Sequence, residues 1–172
     1  MKQIFLGFIL LFIFYGCTAH GPQTAKIEQL QMTLVNLDVK VDFSEAATLA
    51  TNLHMLGASL ALEYALVKPP LFHNFLVNAG VKKRGLCWHF ATDMLESVLK
   101  EKYESFDFYL VGTNIGDYWQ EHTALLVTAQ GQEVSKGVII DAWRNSGELF
   151  FSKIDEDPVY KWSQRGAKRN ER

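Results

Sequence analysis

Apolar residues recur at helical spacing in the first part of this chain and at strand spacing in the last part. One run has intervals of three or four residues: Leu49, Leu53, Leu56, Leu60 and Tyr64. It follows Asp42-x-x-Glu45, which resembles a capping box, and it predicts an amphipathic helix of about six turns. Pro69-Pro70 ends that helix, because proline lacks an amide hydrogen and disfavours helical geometry in the residue before it.

Three other segments have helical spacing, and three later ones read as strands. A short helix is predicted within 27–34, a second over 71–78, and a third that begins at Cys87 and has Trp88, Ala91, Leu95 and Val98 on its apolar face. After Lys100 the period changes, and 106–111, 122–129 and 138–143 are predicted strands separated by segments that contain glycine.

This order of elements predicts an α+β fold, in which N-terminal helices precede an antiparallel sheet. The connection between the last two predicted strands is too short for a parallel crossover. The 172 residues suffice for one domain. We expect a leader over 1–16, a tether and short helix over 17–40, the functional domain over 41–162 and a polar tail over 163–172.

The N-terminus has the features of a secretory leader. Lys2 is followed by the uncharged, apolar run 4–15, which is shorter than the ~20 residues that span a bilayer. Gly16-Cys17 then resembles a bacterial lipobox, which implies export and a lipid anchor on Cys17; cleavage after Ala19 is the alternative. Because Thr18 is not acidic, the same resemblance implies the outer membrane, facing the periplasm.

Charge and cysteine content narrow the function classes. Lys and Arg number 17 against 19 Asp and Glu, for a formal charge of −2, so no nucleic-acid partner is expected. The chain has two cysteines. If Cys17 is lost or lipidated, Cys87 stands alone in an oxidising compartment, where a lone thiol is either buried and inert or retained for reactivity.

Three residues together suit nucleophilic catalysis by cysteine: a nucleophile, a base and an acid that orients the base. A thiol attacks as thiolate, which a helix N-terminus and a nearby histidine both favour. Cys87 lies at a predicted helix start, and His122 begins a predicted strand. Asp141 interrupts an apolar strand and therefore needs a partner. A two-residue turn at Gly131-Gln132 places His122 directly opposite Asp141, which predicts a Cys-His-Asp triad.

The same register places Ala124, Leu126 and Ile139 on the face of His122 and Asp141, and we expect the Cys87 helix to dock there. His89 points away from the thiol by helical geometry, so a structural role is expected. The helix-start N–H groups are predicted to form part of an oxyanion hole. Candidates for its second donor and its surroundings are Trp88, Gln120, Asn114 and Asn78.

These residues resemble the transglutaminase-like branch of the papain-like cysteine hydrolases. Gly85-Leu86-Cys87-Trp88-His89-Phe90-Ala91 follows the G-x-C-W-x-x-A style of its nucleophile motif, and a later His and Asp lie on predicted strands. Over 70–160 the resemblance implies a papain-like core, with the nucleophile helix packed on the sheet, and acyl transfer by Cys87, His122 and Asp141. No acidic cluster resembles the calcium sites of the animal enzymes, and no metal or cofactor is expected. Ala142-Trp143 after Asp141 departs from the usual continuation.

The leading hypothesis is an envelope hydrolase or acyltransferase that acts on an amide, peptide or isopeptide bond of a protein or peptide of the cell envelope. One alternative is a non-catalytic lipoprotein that uses the fold for binding or envelope assembly, with Cys87 as a buried residue. A second is a cell-wall peptidase with an Asp-Cys-Ser-Gly motif, which Leu86-Cys87-Trp88 does not match.

Overall fold

The computed structural model of this protein describes residues 22–117 and 119–165. In order along the chain, its elements are α1 (Pro22–Val35), α2 (Phe43–Glu63), α3 (Pro70–Asn78), α4 (Cys87–Lys100), β1 (Phe106–Thr113), β2 (His122–Ala129), a short 3-10 turn (Val134–Lys136), β3 (Val138–Asn145), β4 (Glu148–Lys153) and β5 (Ser163–Gln164). The predicted leader and the predicted lipidation site Cys17 lie outside the described residues. None of the described helices is long and apolar enough to cross a bilayer.

The strands form one antiparallel sheet in the order β4-β3-β2-β1-β5. The predicted α+β class, with helices before an antiparallel sheet, is therefore confirmed. β1 and β2 are paired along their whole length, from Phe106 opposite Ala129 to Thr113 opposite His122. Both of these strands are buried at every position, so both faces of the sheet centre are covered.

The predicted long helix is α2, which spans 21 residues. The Asp42 carboxylate accepts a hydrogen bond from the Glu45 backbone N–H at 2.9 Å, which caps the helix. Glu45 does not complete a capping box. Its carboxylate accepts instead from the backbone N–H groups of Glu104 and Ser105, at 2.8 and 2.7 Å, and so ties the start of α2 to the segment before β1.

The N-terminal helix is longer than predicted and belongs to the domain. α1 begins at Pro22, and Leu30 and Leu34 on it are fully buried in the core that also contains α2. The short helix expected within 17–40 corresponds to α1, which occupies that segment from Pro22 to Val35. The physical reason is that two buried leucines one helical turn apart anchor a helix whose other positions are mostly polar.

Helix α4 packs on the opposite face of the sheet from the one predicted. Its apolar side lies in one core with Leu125, Val127 and Ile140, whereas Ala124, Leu126 and Ile139 form a second cluster. Alternate residues of a strand face opposite sides, so the two clusters lie on the two faces of the sheet. The second face is covered by parts of the chain outside the helices, including Ile154 and Trp162.

Two strands were not predicted. β4 follows β3 through a tight turn at Ser146 and Gly147, both of which have positive φ. β5 consists of Ser163 and Gln164, which pair with Gly112 and Val111. Within the predicted polar tail, the backbone of Ser163 and Gln164 completes the sheet edge; residues 166–172 lie outside the described residues.

Candidate active site

The start of α4 is fixed by a glycine and a buried histidine. Gly85 has a φ of 118°, which L side chains rarely adopt, and a Cβ at this position would lie 2.2 Å from Nε2 of His73. His73 is fully buried. Its Nδ1 accepts from the Val67 N–H at 3.1 Å, so its Nε2–H donates to the Arg84 carbonyl at 2.9 Å. The glycine two residues before Cys87 is therefore required by close packing.

His89 stabilises the helix that presents Cys87. Its Nδ1 accepts hydrogen bonds from the backbone N–H groups of Gly85 and Leu86, at 3.2 and 3.1 Å. Burial, together with the charge of Arg84, lowers the pKa of His89, which favours the neutral ring that can accept these bonds. The predicted structural role of this histidine is confirmed, and the thiol must find its base elsewhere.

His122 and Asp141 are hydrogen-bonded, as predicted, but through a different register. Nε2 of His122 lies 2.7 Å from Oδ2 of Asp141. The strands pair Leu125 with Ile140 and Leu126 with Ile139, which is two residues away from the predicted register. The cause is the longer connection through the 3-10 turn at Val134–Lys136. A shift of two preserves the face of each residue, so the pair still meets, diagonally across the strands.

Asp141 is a buried carboxylate with a full set of donors. Its Oδ1 accepts from the backbone N–H groups of Trp143 and Arg144, both at 3.1 Å, and its Oδ2 accepts from Arg144 Nε at 3.0 Å and from His122. Burial raises the pKa of Asp141, but His122 and Arg144 outweigh burial and lower the pKa. The group is therefore an anion that holds the imidazole in one orientation.

The imidazole of His122 faces both the carboxylate and the thiol. Burial lowers the pKa of His122, but hydrogen bonding with Asp141 and Cys87 and their charges outweigh burial and raise this pKa to about 9. Because Asp141 occupies Nε2, the nitrogen left for the thiol is Nδ1, which is buried and has no hydrogen-bond partner in the structure. The raised pKa favours the imidazolium form of His122 at neutral pH.

Cys87 opens onto a cleft of about 280 Å³. The thiol is 9% exposed, and its Sγ lies 4.0 Å from the carbonyl oxygen of Glu121. The cleft is lined by Asn74, Asn78, Leu86, Cys87, Trp88, Trp119, Glu121, Thr123 and Arg165. Trp88 and Trp119 are 49% and 81% exposed, so two indole rings flank a nearly buried sulfur atom. Three larger cavities in the described part of the chain lie away from Cys87, His122 and Asp141.

The cleft also contains an amide that the sequence reasoning missed. Asn74 on α3 lines it beside Cys87, and its Oδ1 accepts from Trp143 Nε1 at 3.1 Å. An indole N–H only donates, so the Asn74 oxygen faces Trp143 and the Asn74 NH₂ is left for the cleft. No periodicity or spacing signals this role, because α3 precedes Cys87 and meets the site only in the folded chain.

Of the four oxyanion candidates expected from the sequence, two line the cleft and two do not. Trp88 lines the cleft, and its ring packs against that of His89, with the centroids 3.7 Å apart and the planes tilted by 32°. Gln120 belongs to the turn before β2, where its backbone N–H bonds Asp117 and its carbonyl accepts from Asn114. Among the described residues, Gln120 and Asn114 do not line the cleft, whereas Asn78 does. The described residues also contain no group of three or more His, Cys, Asp or Glu side chains placed to hold a metal ion.

Comparisons with protein-family models, with curated proteins and with solved structures found no match to this chain.

Proposed function

We propose that this protein is a cysteine hydrolase or acyltransferase with a transglutaminase-like, papain-like core, which acts on an amide, peptide or isopeptide bond. One observation carries the proposal: the buried His122–Asp141 pair leaves Nδ1 of the imidazole for the Cys87 thiol, at a helix N-terminus that opens onto a cleft. The helix N-terminus and the imidazolium both stabilise negative charge on sulfur.

The reactive state is the ion pair of the Cys87 thiolate and the His122 imidazolium, formed when the thiol proton passes to Nδ1 of His122. Sγ of Cys87 then attacks the carbonyl carbon of the substrate, and a C–S bond forms as the carbonyl oxygen becomes an oxyanion. When this intermediate collapses, the C–N bond breaks and the leaving amine takes the proton from Nδ1. A thioester remains on Cys87.

The second half returns the enzyme to its starting state. Water or a primary amine attacks the thioester carbon and gives a proton to Nδ1 of His122. The C–S bond breaks, releasing an acid from water or a new amide from an amine, and the thiolate of Cys87 is restored beside the imidazolium. Asp141 keeps its negative charge throughout and stabilises the imidazolium.

The oxyanion has donors from two elements. Cys87 and Trp88 precede the first N–H of α4 that bonds within the chain, which is the bond from His89 N to the Leu86 carbonyl. Their backbone N–H groups are therefore suited to the oxyanion. The NH₂ of Asn74 is the second donor that we propose, because it lines the same cleft and Trp143 fixes its orientation.

The proposed substrate is a protein or peptide of the cell envelope. The apolar leader and Gly16-Cys17 favour export and a lipid anchor on Cys17, with the domain facing the periplasm from the outer membrane. A cleft flanked by the side chains of Trp88 and Trp119 suits an extended chain better than a free amino acid.

The decisive experiment detects the acyl-enzyme. The protein is first treated with p-nitrophenyl acetate, and a burst of nitrophenolate with acetyl mapped to Cys87 is expected; Cys87→Ala should abolish both. A pool of peptides and isopeptides is then digested in isotopically heavy water, with and without a primary amine. Heavy oxygen in the product indicates hydrolysis, and incorporated amine indicates transfer.

If the folded protein forms no acyl-Cys87 with the ester and cleaves no member of the pool, the enzymatic proposal is wrong. The non-catalytic alternative, a lipoprotein that uses this fold for binding, then becomes the better account of the same fold.

A further inference from the structure

The chain between β4 and β5 crosses one face of the sheet. β4 and β5 are the two outermost strands, so residues 154–162, here called the strap, must pass from one edge to the other. Ile154 and Trp162 pack on the cluster formed by Ala124, Leu126 and Ile139. This is the face of His122 and Asp141, opposite to the face on which α4 packs.

A buried ion pair fastens the strap to the sheet. The Arg144 guanidinium on β3 donates to both carboxylate oxygens of Asp157, at 3.1 and 2.7 Å, and the Asp157 side chain is fully buried. The same carboxylate accepts from the backbone N–H groups of Val159 and Tyr160 and from Trp162 Nε1. Asp157 therefore determines the shape of the strap as well as its attachment.

Arg144 connects this pair to the site. Its Nε donates to Asp141 at 3.0 Å while its two terminal nitrogens bond Asp157. The guanidinium lies 3.8 Å from the ring centroid of Phe150 and 4.7 Å from that of Tyr160, so aromatic rings restrict its orientation. One planar, forked side chain thus holds two carboxylates at once, which lysine cannot do.

Two aromatic rings of the strap contact the imidazole of His122. The centroids of Tyr160 and Trp162 lie 4.9 and 5.3 Å from that of His122, and Trp143 adds a third ring at 4.8 Å. His122 is 3% exposed and Asp141 2% exposed. These rings, each tilted by 45 to 50° to the imidazole, exclude water from the hydrogen bond between His122 and Asp141.

We propose that Arg144 and Asp157 are positioning residues, which hold the strap closed over His122 so that its pairing with Asp141 stays dry and correctly oriented. This inference goes beyond the proposed function and rests on it in one respect, that the pairing of His122 with Asp141 serves to activate Cys87. The ionisable groups around the imidazole are Cys87 from α4, Asp141 and Arg144 from β3, Tyr160 and Asp157 from the strap, and Glu121 and Arg165 at the cleft.

Asp157→Asn tests the proposal. The substitution removes the charge that balances Arg144, so the unpaired guanidinium competes for Asp141 and repels the imidazolium, while a loosened strap admits water. Both effects lower the pKa of His122 from its value of about 9 toward the ordinary range. We expect the His122 ring resonance, followed by NMR, to titrate at a pH lower by roughly one unit or more.

Asp155→Asn is the matched control, because it makes the same chemical change on the same strap at an exposed position. It should leave the His122 titration where it is. Arg144→Lys keeps the positive charge but loses the fork, and Trp162→Phe keeps most of the packing but loses the bond to Asp157; each should lower the titration midpoint less than Asp157→Asn. Asp157→Glu keeps the negative charge, so its His122 titration midpoint should lie between those of Asp157→Asn and the wild type.

A folded Asp157→Asn protein that melts at a lower temperature but titrates like the wild type would overturn the proposal, because a merely structural strap predicts that result. If Asp157→Asn does not fold, Arg144→Lys and Trp162→Phe decide by the same criterion. The titration does not depend on turnover, so it distinguishes failure of this inference from failure of the proposed enzymatic function.

Discussion

The indole N–H of Trp143 donates to Oδ1 of Asn74 over 3.1 Å, while the ring of Trp143 lies 4.8 Å from the centroid of His122. One side chain of the sheet therefore contacts the imidazole and fixes the amide of a residue on α3. Since the amide oxygen is taken by Trp143, only the amide NH₂ can face a substrate in the cleft.

Asn74→Asp keeps the acceptor for Trp143 and replaces the NH₂ with a carboxylate oxygen. If that NH₂ stabilises the oxyanion, the rate of acyl-enzyme formation should fall roughly 100-fold or more, with little change in substrate affinity. Asn78→Asp makes the same change one turn along α3, at an exposed position in the same cleft, and should cost only a few-fold. Equal losses in the two variants would mean that charge alone, rather than a lost donor, slows the reaction.

Alkylation of Cys87 by iodoacetamide measures the thiolate directly. At about pH 7 we expect rapid modification of the folded protein, because the imidazolium of His122 and the start of α4 both stabilise the thiolate. His122→Ala should slow the reaction roughly ten-fold or more. Asp141→Asn should slow it less, because it removes the residue that orients the ring and leaves the ring in place.

The measurement is repeated in denaturant, where every variant should react at the rate of an ordinary thiol. A Cys87 that reacts slowly in the folded wild type and quickly after unfolding would indicate a buried structural cysteine. That result would remove the catalytic roles of Cys87, His122 and Asp141 together.

Much of the architecture could be predicted from local patterns. The order of the elements and the starts of α4, β2 and β3 follow from apolar periodicity and from glycine and proline positions, because these signals act over a few residues. The contact between His122 and Asp141 was predicted from strand pairing. The predicted register was wrong by two residues, but a shift of two keeps each side chain on the same face of the sheet, so the predicted contact still forms.

The remaining features depend on long-range packing. The face that receives α4 could not be read from β2, since both faces of that strand are apolar and buried. Asn74 and Asp157 lie 13 residues before and 70 residues after Cys87, and each acquires its role only through a partner on β3, Trp143 or Arg144. The sequence around Asp157 has no periodic apolar pattern that would distinguish a strap from a loop.

The lipid anchor on Cys17 makes a separate prediction, which follows from the leader and the residue pair Gly16-Cys17. The intact mass of the protein from membranes should include acyl groups on an N-terminal cysteine, and Cys17→Ala should release the protein in soluble form or leave it unprocessed. A mature chain that begins at His20 without lipid would mean that cleavage follows Ala19.

Stability should depend on pH through His122. In the unfolded chain its pKa lies near 6.5, and folding raises this pKa to about 9, so the folded state binds the proton more tightly. The resulting stabilisation is complete below pH 6.5 and is lost as the pH rises through about 9. Urea unfolding of the wild type and of His122→Gln should give a difference that shrinks by on the order of 3 kcal/mol between about pH 6 and about pH 10. A difference that stays constant across this range would contradict the tight pairing with Asp141.

Gly85→Ala should destabilise the start of α4 for two separable reasons. The φ of 118° strains any L side chain, and the new Cβ would lie 2.2 Å from Nε2 of the fully buried His73. Gly80→Ala isolates strain from collision, because Gly80 also has a positive φ, 74°, but nothing lies within 4 Å of its Cβ position. We expect Gly80→Ala to cost roughly 1 kcal/mol of unfolding free energy and Gly85→Ala roughly 3 kcal/mol or more.

Iodoacetamide should also modify Cys87 more slowly in Gly85→Ala, because the displaced helix start moves the thiol away from His122. Gly80→Ala should react like the wild type. Similar unfolding free energies and similar alkylation rates in the two variants would mean that the contact between Gly85 and His73 does not position the nucleophile.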